Sequence, residues 1–312
     1  MPDIEEPDRA QVVAIDVKAW VEAAVNDPVA YRDRQVTEIV LSAIGVAPSL
    51  KNTLVLKGGT LMALAFDSRR LTADVDFTAL VGPENFAELL TEQLNAAMPR
   101  TAIELGYVDL VCRVQSIRKL PRPQNFETMN FPALQVRIGS ALRNTPEEKR
   151  LQDGQAPRVI DVEISFRDQV YTTQDLHLID AGVAIRAFTI HELIAEKFRA
   201  LLQQPIRERN RRQDVYDIAY LVEGHPMTDE DRVTIHAILQ EKCASRGITP
   251  DKGSLEDPEV VRRAEAEWET LRLEVELPPF ADRFAIAANL YRTLPWIEIE
   301  GAASVPTEEQ RR

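Results

Sequence analysis

Apolar positions change their period several times along the chain. Between about residues 10 and 45 they recur at helical spacing: Val12, Val13, Ile15, Val17, Trp20 and Val21, then Val36, Ile39, Val40, Leu41 and Ile44, with Asn26-Asp27-Pro28 punctuating the two stretches. A short strand, TLVLKGG (residues 53–59), ends in the chain's only Gly-Gly pair. Residues 60–69 read as a helix through Leu61, Leu64 and Ala65, and 73–80 (ADVDFTAL) as a second strand. Pro83-Glu84 opens a helix to about 97, and residues 102–120 and 131–143 alternate like strands. The cleanest alternation is RVIDVEISF (158–166): Ile160, Val162, Ile164 and Phe166 face one way, Val159, Asp161, Glu163 and Ser165 the other. From Thr189 onward nearly everything is helical. Thr189 and Glu192 have capping-box spacing, a further helix covers about 213–223, and acidic helices follow 228.

This order predicts an α+β protein. A small mixed β-sheet with flanking helices occupies 1–185, and a mainly helical C-terminal domain (186–312) contributes Lys, Arg and Asp to a shared cleft. Residues 1–8 and about 301–312 read as tails. There is no internal repeat and no long linker.

Composition narrows the class. Of 312 residues 45% are hydrophobic and 28% charged, a globular balance that excludes wholesale disorder. No run approaches the roughly 18 apolar residues of a membrane span, and MPDIEEPDRAQ has no apolar core of a signal peptide. Cys112 and Cys243 make no disulfide framework, so a reduced, cytoplasmic protein is expected. The net charge of −13 disfavours a passive nucleic-acid coat. It is uneven: residues 1–112 carry −8, 113–212 carry +5 and 213–312 carry −10. The basic middle third is either a solvated arginine-rich surface or a strip facing phosphate.

Two stretches carry chemistry. The first is Lys57-Gly58-Gly59-Thr60 followed by Asp74-Val75-Asp76. Two glycines between strand and helix allow a tight turn and close approach of a bulky ligand. The helix that follows offers unpaired N–H groups and a positive dipole end to phosphate, and Thr60 adds a hydroxyl. Asp74 and Asp76, two apart on a strand, project from one face and suit hard divalent cations. Two metals about 3.5–4 Å apart would clamp an in-line nucleotidyl displacement. The competing reading is a Gly-Gly turn beside an edge strand with two solvated aspartates. Asp229-Glu230-Asp231 shares the spacing but follows Thr228 at a helix start, where acidic residues suit the dipole.

The second stretch is Glu196-Lys197-Phe198-Arg199-Ala200-Leu201, then Arg207, Arg209, Arg211 and Arg212, then Asp214-Val215-Tyr216-Asp217. Lys197 lies three and four residues from Ile194 and Leu193, on the inward side of its helix, where it either snorkels or points into a cleft. The arginines are either a capping and solubility cluster or a grip on triphosphate or RNA. Asp214 and Asp217 share a helix face and orient those arginines, or position Lys197 or an acceptor. His177, His191, His225 and His236 lack zinc spacing, and there is no GxSxG or Walker loop.

LKGGT…ADVDF resembles the opening motif of the nucleotidyltransferase superfamily, whose fold is shared with DNA polymerase beta. With the second stretch in the right order, residues 50–225 resemble the AbiEii/AbiGii toxin family of bacterial abortive-infection and toxin–antitoxin systems. The resemblance implies a Mg²⁺-dependent nucleotidyltransferase with a two-metal site at Asp74 and Asp76. It implies a third carboxylate, Asp161 or alternatively Glu163. Lys57, Gly58, Gly59, Thr60 and Arg207 would bind the NTP, and Lys197 and Asp214 would be the active-site pair carried over from the family. An acceptor hydroxyl, by resemblance that of a tRNA 3′ end, would attack the α-phosphorus and release pyrophosphate. A toxin would have a cognate antitoxin as partner. The charge of −13 objects to an RNA acceptor unless basic residues gather on the cleft face. Two alternatives stay open: transfer to a small molecule such as an aminoglycoside or to a protein side chain, and a degenerate binding fold.

Overall fold

The computed structural model describes residues 8–72, 74–121 and 124–296. Eight strands form one mixed sheet: β1 (Asp8–Ile15), β2 (Leu54–Lys57), β3 (Asp74–Ala79), β4 (Leu110–Leu120), β5 (Ala133–Leu142), β6 (Arg158–Phe166), β7 (Thr172–Leu178) and β8 (Val183–Phe188). Their order is β1-β7-β8-β2-β3-β6-β5-β4. In β6, Ile160, Val162, Ile164 and Phe166 are buried and Glu163 is exposed, as the alternation predicts. β2 and β3 are antiparallel, β3 and β6 parallel, so the central strands bring the glycine turn and the acidic residues of β3 and β6 to one region of the sheet.

The apolar pattern misassigns the first segment. Residues 8–15 are a strand paired in parallel with β7, Val13 opposite Leu176 and Ile15 opposite Leu178, rather than part of a helix. The helix is shorter, Val17–Glu22, and begins where Asp16 accepts a hydrogen bond from the Ala19 N–H at 2.7 Å. A strand and a helix in tandem place apolar residues at intervals that one helix also satisfies. Strand β4 likewise begins later than its alternation suggests, because residues up to Glu104 complete the helix Phe86–Glu104 and Gly106 (φ +85°) turns the chain. The hairpin β7–β8 has only a short apolar alternation, Leu176 and Leu178 paired with Ile185 and Val183. Thr173 and Gln174 are buried there, and Gln174 donates to the Phe188 carbonyl at 2.9 Å. Of the expected tails, only Asp8 falls among the described residues, where it opens β1.

After Phe188 the described chain is helical: Ile190–Leu202, Gln204–Arg207, Arg212–Gly224, Asp229–Ala244, Pro258–Glu265 and Phe280–Arg292, with 3₁₀ turns between. Thr189 caps the first by accepting from the Glu192 N–H, but the Glu192 carboxylate turns away to the Tyr171 and Thr172 N–H groups. Thr228 and Asp231 close a full capping box, as expected for that acidic triplet. One hydrophobic core runs from Ile15 to Leu294 across sheet and helices. The segment leading into β3 is stitched to the late chain: the Leu71 N–H donates to Arg272 O and the Glu274 N–H to Arg69 O, each at 2.9 Å. Cys112 and Cys243 are free and buried. Among the described residues no helix is long and apolar enough to cross a membrane.

Candidate active site

The site starts with the turn between β2 and the helix Gly58–Ala65. Gly58 has φ +70°, and a Cβ there would lie 2.0 Å from Asp76 Oδ2. A Cβ on Gly59 would lie 2.5 Å from Thr72 Oγ1 and 3.0 Å from Arg70 Nη2. Both positions therefore require glycine: the first for its backbone and its neighbour, the second for space alone. Register does the rest. Lys57 pairs with Asp76 across β2–β3, and Asp74 and Asp76 stand opposite Asp161 and Glu163 across β3–β6.

A cleft of about 440 Å³ opens here, lined by Gly58, Gly59, Asp74, Asp76 and Glu163 on the sheet side and by Lys197, Arg199 and Asp214 on the helical side. Removal from water pushes the Asp76 carboxyl above the usual carboxylate range; Glu163 adds to this while Lys57, Lys197 and Arg70 oppose it. Asp74 is raised by the same desolvation, then by Asp76 and Asp161. Two carboxylates that disfavour each other's charge in an all-oxygen setting suit a hard divalent cation in kind. Among the described residues no three His, Cys, Asp or Glu side chains are gathered closely enough to hold a metal ion. Asp161 leans 3.5 Å from Arg137 Nε and lies outside the cleft lining, whereas Glu163 lies within it.

Lys197 is buried and donates to Asp217 Oδ2 at 2.6 Å and Asp214 Oδ1 at 3.1 Å. Asp217 also receives both arms of Arg70, Nε at 2.8 Å and Nη2 at 3.0 Å. Burial pushes the Asp217 carboxyl up, yet Arg70 and Lys197 hold it below its ordinary value. Burial pulls the Lys197 ammonium down, yet Asp217 and Asp214 hold it above. The shared face of Asp214 and Asp217 thus positions Lys197 and Arg70. Of the basic cluster, Arg211 reaches Asp214 only at 3.9 Å and Arg212 pairs with Glu267 at 3.2 Å. Among the described residues Asp214 Oδ2 is buried without a hydrogen-bond partner.

Two side chains expected to bind phosphate are engaged elsewhere. The Thr60 hydroxyl donates to the Asp74 carbonyl at 2.9 Å and faces a neighbouring cavity, tying helix to strand. Lys57 also lines the cleft, but its three N–H bonds go to Ser165 (2.7 Å), Asp168 (3.1 Å) and Thr78 (3.3 Å). Arg207 is exposed at the cleft mouth beside Arg209.

Several cleft residues escaped the sequence reading. Arg70 is one. Asp168 is another, a carboxylate held well below its usual range, against its burial, by Lys57, Ser165 and Arg246. Arg199, quoted in the second stretch without a role of its own, pairs with Glu196 and donates to Gln203 at 2.6 Å; Lys242, outside the cleft lining, bridges Glu192 at 2.7 Å and Glu196 at 3.5 Å. Only Glu192, Glu196 and Arg199, at helical spacing, leave a local signal. Arg70 and Asp168 stand alone in sequence, and their partners are far along the chain.

Comparison with known proteins gives the family. Residues 39–289 match the family model described as "Nucleotidyl transferase AbiEii toxin, Type IV TA system". No curated protein matches the sequence. Among solved structures, MenT4, a nucleotidyltransferase toxin from Mycobacterium tuberculosis H37Rv, is similar at TM-score 0.50 and 17% identity, over 94% of this chain and 92% of that one. JHP933 from Helicobacter pylori is similar at TM-score 0.44 and 17% identity, over 87% and 92%. At this identity the first likeness speaks to the fold alone, and the second is too distant to argue from.

Proposed function

The chain belongs to the AbiEii family of nucleotidyltransferase toxins of type IV toxin–antitoxin systems, and from that premise we propose that its cleft transfers a nucleoside monophosphate from an NTP to the 3′ end of a tRNA, with Mg²⁺, in the cytoplasm. Nucleotidyl transfer follows from the family; metal, acceptor and compartment are this reading's own. The observation that carries it is the meeting, in one cleft, of Asp74 and Asp76 from β3 with the Lys197–Asp214–Asp217 group from the helical part.

Asp74 and Asp76, with Glu163 or Asp161 as a further oxygen donor, would hold the divalent cations, which supply charge neutralisation at the reacting phosphate. Gly58 and Gly59 let the triphosphate approach the backbone at the N-terminus of the helix Gly58–Ala65. Lys197 spends two N–H bonds on Asp217 and Asp214 and keeps a third for a phosphate oxygen. The two aspartates fix the direction of that third bond, so the cation needs no reorganisation as charge develops. Lys57, with all three N–H bonds engaged, acts on the phosphates through its field unless Asp168 releases it. Arg207 meets the triphosphate from the mouth. The acceptor oxygen then bonds to the α-phosphorus, the bond to pyrophosphate breaks, and the hydroxyl proton leaves to a carboxylate or to water. The division at 185/186 belongs to this reading as well, with each side supplying half the cleft. As a type IV system member, the protein has a cognate antitoxin as its counterpart.

Label transfer tests the proposal. Purified protein, Mg²⁺, each α-labelled NTP in turn and total tRNA should give label at an RNA 3′ end that disappears in Asp76→Asn. Label on protein or on an added aminoglycoside would replace the acceptor. Absence of label with every NTP and acceptor would overturn the reading.

A further inference from the structure

Beside the cleft lies a second cavity of about 800 Å³ that shares Glu163, Phe131, Arg207, Arg209 and Arg246 with it. We propose that this cavity seats the unstacked end of a single-stranded RNA acceptor and leads it to the nucleotide. The inference rests on the nucleotidyltransferase reading and assigns the acceptor its place.

Three observations carry it. The walls alternate apolar and cationic: Met129, Phe131 and Ile206 on one hand, Arg207 and Arg209 on the other. Ile206 is 64% exposed, a large apolar side chain left open to solvent among the described residues. Bases stack on such surfaces while arginines follow the phosphates, and this pairing is the general means of gripping single strands without reading sequence. The Arg246 guanidinium lies over the Phe131 ring and is held by Asp168, so the platform is fixed before any strand arrives.

Charge selects among acceptors. Glu163 is the one carboxylate among the described residues that line this cavity. Arg207 and Arg209 are exposed, and no described carboxylate lies in ion-pair distance of either. A polycationic small molecule is repelled here, and a polyanion is drawn in. The cavity's position does the rest. Glu163 lines both spaces and pairs with Asp76 across β3–β6, so a strand end lying along the arginines reaches the reacting phosphate beside that carboxylate. The cavity's cationic wall also bears on the objection raised by a net charge of −13, since most of its lining comes from the stretch 113–212, which carries +5.

The test uses the full chain, a fluorescein-labelled single-stranded RNA of about a dozen nucleotides, and Mg-ATP as a separate probe. Two variants are compared with wild type: Ile206→Asp/Arg209→Glu, on an exposed turn, and Phe131→Ala. Each should weaken RNA binding about tenfold or more. The charge variant should also lower the slope of log affinity against log salt by about 0.7 for the lost phosphate contact. In Ile206→Asp alone, whose side chain lines the second cavity and not the nucleotide cleft, Mg-ATP affinity should stay within about twofold, well under the tenfold that a lost direct contact is worth. RNA affinity and salt slope unchanged in both variants would overturn the proposal, as would an acidic peptide bound more tightly than RNA. The parent reading fails separately. RNA binding lost in the variants without label transfer in wild type leaves the site and removes the reaction. Transfer to RNA at wild-type KM in both variants leaves the reaction and removes the site.

Discussion

Lys197 Nζ lies 2.6 Å from Asp217 Oδ2, joining two helices through an ion pair whose side chains are 8% and 0% exposed. Arg70 reaches the same carboxylate from the segment before β3. One buried anion therefore holds two cations of the cleft. Asp217→Asn should leave Arg70 facing Lys197, with Asp214 as the remaining carboxylate on the lysine. A loss of about 3–5 kcal/mol in urea denaturation is expected, together with loss of NTP binding. A stability within error of wild type would show that the triad is not bearing on the fold.

Asp76→Asn should behave in the opposite sense. Burial raises the Asp76 carboxyl, so the folded protein carries that charge at a disadvantage. Removing it should lower transfer by about 100-fold or more while leaving Tm in chelator equal to or above wild type. A large drop in Tm would point to a structural role for the carboxylate.

Gly58→Ala combines two penalties. The residue sits at φ +70°, and the new methyl would fall 2.0 Å from Asp76 Oδ2. A destabilisation of about 1 kcal/mol or more from the backbone alone is expected. Displacement of Asp76 should cut kcat further than stability predicts, which single-turnover kinetics beside a denaturation curve will resolve.

Acid should unravel the charge network. Glu196 is pushed up by burial but brought down to about 2 by Arg199 and Lys242, against an ordinary 4.5, and Asp168 and Asp217 are lowered as well. Carboxyls lowered in the fold contribute stability that is complete above their unfolded pKa and is lost as pH falls through the folded one. Tm should therefore hold above about pH 5 and fall steeply between about 4.5 and 2. Glu196→Gln should flatten part of that slope; an identical slope would assign acid lability to other groups.

Legibility followed the range of the forces involved. The turn at Gly58-Gly59 and the carboxylates of β3 are local: the backbone need and the two-residue spacing are written in adjacent letters. β6 was readable because one face is buried and the other is not. β1 was not, because its partner β7 lies some 160 residues away and Val12, Val13, Ile15 and Val17 fit a helix equally well. Lys197 reads as inward from its neighbours, but of the roles open to Asp214 and Asp217, holding Lys197 emerges only when the two helices pack. Arg70 and Asp168 have meaning only through tertiary partners. Lys57 and Thr60 were legible as motif members, yet their bonds to Ser165, Asp168 and the Asp74 carbonyl arise only when strands meet.

The stitching of residues 69–71 to 272–274 has a consequence for how the protein comes into being. A chain leaving the ribosome exposes its glycine turn and its aspartates early, but Arg70 cannot meet Asp217, nor Leu71 donate to Arg272 O and Glu274 to Arg69 O, until more than two hundred residues have emerged. The cleft is thus assembled only once residues 217 and 272–274 have been made. A ribosome-bound fragment that stops short of them has the motif but not the machine.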